Sequence, residues 1–264
     1  MEQQKFERVR HEYLKLSELD IHPEVQRTLK QSKVDQYATS FDPDLFGEAS
    51  VIVTPRSLKG QYKPFLVFDG QHRVLAAIKY LGDQQRVPCA VYDDTNTEHL
   101  AKMFLGVNDR QSLQPYDKWK IRILANEPTA IHIDKILHKR QLMVANQTSA
   151  GKVRAVSALN NVYSRYGAET LEQALDVLLS AWGRDPEAFD GSILRATSFL
   201  CHHFNGQLDH AELAKKISKA TPPHRLIGDG RDIARISGVS VERALAEKIL
   251  QIYNKHKKVG LELK

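Results

Sequence analysis

The stretch Phe65–Gly82, FLVFDGQHRVLAAIKYLG, decides the fold. An uninterrupted apolar run ends in Asp69-Gly70-Gln71-His72-Arg73, and Leu75, Ala76, Ile78 and Leu81 then recur at helical spacing before Gly82. An unbroken apolar run reads as a buried strand, and the three- and four-residue period reads as a helix that glycine stops. A strand, a tight polar turn and a helix are therefore expected. Such a turn gathers exposed backbone N–H groups at the positive end of the helix, and here a guanidinium, an imidazole and a carboxamide join them. That combination suits phosphate or another anion.

The neighbouring segments extend the pattern in both directions. Upstream, Tyr13–Leu19 (YLKLSEL) reads as a short strand and turn, and Asp20-Ile21-His22-Pro23 opens an extended segment reaching Gln26 and Arg27. Ser32–Phe41 is an amphipathic helix stopped by Asp42-Pro43-Asp44, and Ala49–Pro55 holds the strand Val51-Ile52-Val53. Downstream, Arg86–Tyr92 is a strand and Thr97–Leu105 a helix. This alternation predicts an α/β domain. Past the polar loop Gly106–Pro115 no further strand is expected. Tyr116–Leu124, Ile131–Val144, Ser149–Tyr166, Thr170–Trp182, Ser192–Phe204, His210–Ser218 and Ser240–Lys255 all carry helical periodicity. The expected organisation is an α/β domain over 1–120 and an all-α domain over 121–264, the boundary falling within 115–128.

The composition, 42% hydrophobic in 264 residues, supports a real core. A net charge of +6 and a pI near 9.2 lean toward polyanionic partners. Cys89 and Cys201 are far apart with no clustered Cys/His spacing, which points to neither a disulfide framework nor a zinc site. The charged N-terminus and the lack of a long apolar span make a cytoplasmic protein with no membrane partner the expectation. No Walker loop, GxSxG elbow, HExxH or dinucleotide GxGxxG is present.

Three polar clusters end elements in the α/β half: Gln26-Arg27, Asp69–Arg73 and Asn108-Asp109-Arg110-Gln111. If they converge, Arg27, Arg73 and Arg110 are three permanently charged forks around one anion, a geometry matched to phosphate. The competing reading has each arginine cap a local carbonyl or pair with Asp20, Asp69 or Asp109. His72 is the only histidine in such a cluster, with a pKa range open to acid/base work, and Asp69 is the best-placed carboxylate.

The ordered boxes Pro23-Glu24-Val25-Gln26-Arg27, Gly70-Gln71-His72-Arg73-Val74-Leu75-Ala76 and Phe104-Leu105-Gly106-Val107-Asn108-Asp109-Arg110-Gln111 resemble the ParB/sulfiredoxin superfamily. The likeness is to the ParB-like branch marked by a DGQHR box and spans roughly residues 12–120. It implies a small mixed α/β domain in which the three boxes surround a nucleotide, CTP with magnesium in partition proteins and ATP or ADP in others. Gln26, Arg27, Gly70, Gln71, His72, Arg73, Asn108 and Arg110 would hold that nucleotide. Asp69 and His72 would be the catalytic candidates. Val107 stands where partition proteins carry glutamate, and Gln71 stands where sulfiredoxin carries cysteine, so sulfiredoxin chemistry is not expected. Nucleotide hydrolysis, phosphotransfer, a metal-dependent nuclease and a non-catalytic regulatory module all fit the same boxes.

In ParB proteins DNA-binding helices follow the third box, which implies a DNA partner and draws attention to Lys139, Arg140, Lys152 and Arg154 in the segment 135–161. Asp232–Ser240 reads either as the first helix and turn of a helix-turn-helix or as a structural helix pair. The sequence thus predicts a nucleotide-binding, DNA-associated ParB-like protein of bacterial, phage or mobile-element character. Its helical half would contact DNA or form a homodimer.

Overall fold

The apolar run Phe65–Asp69 becomes strand β4 of a five-stranded mixed sheet. In this computed structural model residues 9–93, 96–107 and 113–263 are described, and the chain divides into two units, Met1–Glu127 and Pro128–Lys264. The run is unbroken because β4 is covered on both faces. Val67 joins Val51, Val74, Ala77 and Cys89 in one core, while Leu66 and Phe68 join Ile52, Leu100, Phe104 and Ile121 in another.

The remaining strands are β1 (Val9–Lys15), β2 (Leu19–Ile21), β3 (Ala49–Val53) and β5 (Arg86–Tyr92), and the spatial order is β1-β5-β3-β4-β2. The β1–β5 and β3–β4 pairs are antiparallel, and β2–β4 and β3–β5 are parallel. Helix α2 (Gln71–Leu81) packs on one face with α1 (Gln31–Thr39) against it; α3 (Thr97–Val107) and α4 (Pro115–Leu124) cover the other. The expected extended segment from Asp20 to Arg27 is shorter than its pattern suggests. The strand ends at Ile21, and Nδ1 of His22 accepts hydrogen bonds from the N–H groups of Glu24 and Val25, turning the chain back so that Val25 reaches the core.

The division after Glu127 lies within the expected range of 115–128, and α4 goes with the sheet. Ile121 and Ala125 pack against the α3 core, and one carboxylate oxygen of Asp117 accepts from both the N–H (2.9 Å) and the hydroxyl (2.6 Å) of Thr28.

The second unit holds α5 (Pro128–Lys139), β6 (Met143–Val144), β7 (Lys152–Val153), α6 (Val156–Trp182), α7 (Gly191–His203), α8 (His210–Ala220), α9 (Pro223–Ser237) and α10 (Val241–Asn254). The expectation of no further strand is corrected here: β6 and β7 form a two-stranded parallel pair. They shorten the helices expected over Ile131–Val144 and Ser149–Tyr166, because α5 stops at Lys139 and α6 starts at Val156. The break expected between Tyr166 and Thr170 is a kink at Gly167, whose φ of 85° lies where side-chain-bearing residues rarely go. Helix α10 buries Ala244, Leu245, Ala246, Ile249, Leu250 and Tyr253, packing against α7, α8 and α9. The stretch Asp232–Ser240 is the end of α9 and its turn into α10. Among the described residues no helix is long and apolar enough to cross a membrane.

Candidate functional site

The second box is the turn from β4 into α2, and Gly70 makes it possible. It adopts φ 98°, ψ 12° as the residue capping α2, and no side chain caps the helix there. Gly70 itself brings no side chain to accept from the first N–H groups of α2, at the positive end of the helix.

Arg73 lies back along this turn. Its Nη1 donates to the carbonyl of Phe46 (2.5 Å), its Nη2 lies 3.6 Å from the Asp69 carboxylate, and its guanidinium sits over the Phe46 ring at 5.8 Å. Two glycines bound this slot. A Cβ on Gly47 would come within 3.0 Å of Nη1 and one on Gly70 within 3.2 Å of Nη2, and both glycines have positive φ. The guanidinium is thus oriented before any ligand arrives, while a third of the side chain stays exposed.

The first box is stitched to the second. Gln26 is buried and its Nε2 donates to the carbonyl of Val67 at 2.6 Å, so this side chain anchors the loop to β4 instead of facing a ligand. Gln71, also buried, donates through Nε2 to the carbonyl of Arg27 at 2.7 Å. Both amides serve the scaffold, and the residue they position is Arg27. With Asp69, Gly70, His72 and Arg73 it lines a cleft of about 580 Å³ that Tyr37, Phe41, Leu45 and Phe46, together with Ser40 and Asp42, also line. That volume falls in the range of small-molecule sites.

His72 is 2% exposed, and its Nε2 accepts from the N–H of Lys30 at 3.2 Å. Accepting there leaves the proton of the neutral ring on Nδ1. Burial, and then the charges of Arg27, Lys33 and Lys30, pull its pKa down to about 4. At neutral pH the ring is an uncharged donor.

Asn108 and Arg110 of the third box lie outside the described residues. Of the expected DNA-contact residues, Lys139 ends α5 and is exposed, whereas Arg140 is tied down. Its Nε and Nη2 donate to Asp176 (2.6 and 2.8 Å) and its Nη2 also to Glu172 (3.1 Å), which joins the end of α5 to α6. Lys152 sits on β7 with its ammonium against the Met143 sulfur, and Arg154 follows the strand, exposed, donating to the Thr148 hydroxyl at 3.1 Å. The four do not share a helix pair as expected, because the β6–β7 pairing occupies that segment. Cys89 and Cys201 are buried free thiols whose pKa values burial pushes up to about 11 and about 12. Among the described residues no group of three or more His, Cys, Asp or Glu is gathered that could hold a metal ion.

Sequence reasoning missed the apolar wall of the cleft. Tyr37 and Phe41 carry helical spacing and read as the core face of α1, and only the isolated Leu45 in the Asp42-Pro43-Asp44-Leu45 turn, 80% exposed, marks a face open to solvent. Lys30 and Lys33 were likewise unmarked, being ordinary surface residue types at a helix start.

No curated protein and no solved structure matches the chain. The model of the Family of unknown function (DUF6551) matches residues 22–264, from the turn after β2 to the C-terminal end, and the chain belongs to that family.

Proposed function

We propose that the α/β unit is a ParB/sulfiredoxin-like domain that binds a nucleotide or related phosphate compound in the cleft at the start of α2, and that the helical unit contacts DNA. The observation that carries the first half is the Gly70 turn, where a helix start with glycine as its cap residue, Arg27 and an oriented Arg73 share a cleft with aromatic and aliphatic side chains. Phosphate fits the charged corner and a base fits the wall. The reading is one of binding rather than acid/base catalysis, since His72 is neutral at physiological pH with its Nε2 lone pair engaged.

The DNA half rests on where the charge lies. Residues 128–264 hold 20 Lys and Arg against 14 Asp and Glu, which equals the whole chain's +6, while residues 1–127 hold 18 of each. A basic unit beside a neutral one is the electrostatic footprint of a polyanion partner.

A panel of CTP, ATP, GTP and ADP titrated by calorimetry should contain at least one binder, and Arg73→Ala should weaken it tenfold or more. Arg73→Lys, which keeps charge but not the fork, should recover only part of the loss. If no member binds at millimolar concentration, the nucleotide reading fails. For DNA, log K should fall steeply and linearly with log salt concentration, and a flat response would remove the DNA reading.

A further inference from the structure

A second, much smaller cavity of about 60 Å³ adjoins the cleft and shares two of its walls, Arg27 and His72. Lys30, Lys33, Gln114 and Asp117 complete the lining that bears on its chemistry. Three cations thus surround one carboxylate. One oxygen of that carboxylate already accepts twice from Thr28. Neither lysine ammonium makes an ion pair among the described residues. The cavity also lies by the first turn of α1, a nine-residue helix with no side-chain cap at Lys30.

The independent sign of a ligand is His72. Its ring is 2% exposed, Nε2 is taken by the Lys30 N–H, and Nδ1, which must then carry the proton, is buried with no partner among the described residues. Leaving a buried donor unpaired is costly, so native proteins rarely keep one without something to accept from it. What is wanted is an acceptor, in a positively charged space with room for about two waters by their share of liquid volume. A nucleoside does not fit there.

We propose that this cavity is a second oxyanion subsite, built for one phosphate-sized tetrahedral group that accepts the Nδ1–H of His72 between Lys30, Lys33 and Arg27. It rests on the cleft reading only where the group is the terminal phosphate of a nucleotide bound there. Free inorganic phosphate has the same chemistry and would occupy the subsite alone.

Lys30 and Lys33 are exposed, so the variant K30A/K33A tests the subsite without threatening the fold. Calorimetry of wild type and variant would use inorganic phosphate, a nucleoside monophosphate and the matching triphosphate. The expected result is a tenfold or greater loss for the triphosphate, or for free phosphate, with the monophosphate changed less than twofold. In ¹⁵N-labelled wild-type protein the His72 Nδ1–H resonance should shift on adding the tighter ligand. If the variant loses mono- and triphosphate equally, or loses nothing, or if the Nδ1–H resonance stays put on saturation, the subsite is refuted while the cleft stands. If wild type binds free phosphate but no nucleotide and the variant loses it, the subsite stands and the cleft reading falls. Binding of none of the three ligands removes both.

Discussion

Gly230→Ala should destabilise the helical unit by about 1–3 kcal/mol, the usual cost of forcing extra volume into a packed core. The direction is the informative part. Alanine in place of glycine inside a helix ordinarily gains about 1 kcal/mol. Gly230 lies in α9 where α10 crosses closest, and a Cβ built there falls 2.5 Å from both Cγ and Cδ2 of Leu245. Leu245 is fully buried in α10, so any shift it makes must displace packed neighbours. The two tryptophans allow the units to be followed separately, Trp182 ending α6 and Trp119 lying in α4. In a Trp119→Phe background, the urea transition seen by Trp182 should move to lower denaturant in Gly230→Ala. In a Leu245→Ala background the same change at Gly230 should cost less, because the two positions share one space and do not add. A stabilised Gly230→Ala would show that α9 and α10 are not packed this way.

The second large effect is acid sensitivity of the α/β unit centred on His72. Its pKa is about 4 when folded against 6.5 ordinarily, so between those values the unfolded chain binds more protons than the native one. Stability is therefore complete above pH 6.5 and is lost as pH falls toward 4, by about 3 kcal/mol from this residue. Buried His22, its pKa lowered mainly by desolvation, acts in the same direction. In a Trp182→Phe background the Trp119 urea midpoint should drop through this window in chloride buffer. His72→Gln, whose carbonyl can still accept from the Lys30 N–H but does not titrate, should flatten most of the slope. An unchanged slope in His72→Gln would assign the acid sensitivity elsewhere.

How much was legible in the chain follows from what each feature depends on. The strand, turn and helix around Asp69 are written in local pattern, since an unbroken apolar run and a glycine turn need no distant partner to be recognised. The α/β and helical halves follow from the same periodicities. Gln26 and Gln71 looked like ligand contacts by residue type, yet both amides go to backbone carbonyls, a choice made by the approach of β4 and the Arg27 loop. The slot around Arg73 depends on Gly47, which no motif joins to the second box. Strands β6 and β7, two residues each, are too short for any period to register and exist through their pairing. Helix α9 was read only from Asp232 onward, because Pro222, Pro223, Gly228 and Gly230 look like breakers, although prolines are at home in a first helical turn.

The strand order has a kinetic consequence. Strands β1 and β2, adjacent in sequence, lie on opposite edges of the sheet, and β1 can be hydrogen-bonded into it only by β5, at Arg86–Tyr92. The sheet's first strand must wait for its last, and loop closures of that span slow folding. In the helical unit α6 packs on α7 and α9 on α10, neighbours in sequence, although α10 also reaches back to α7. During synthesis the β1 segment therefore leaves the ribosome with its pairing edge uncovered. It stays so until β5 has followed it out, a delay in which the rest of the sheet can assemble without it.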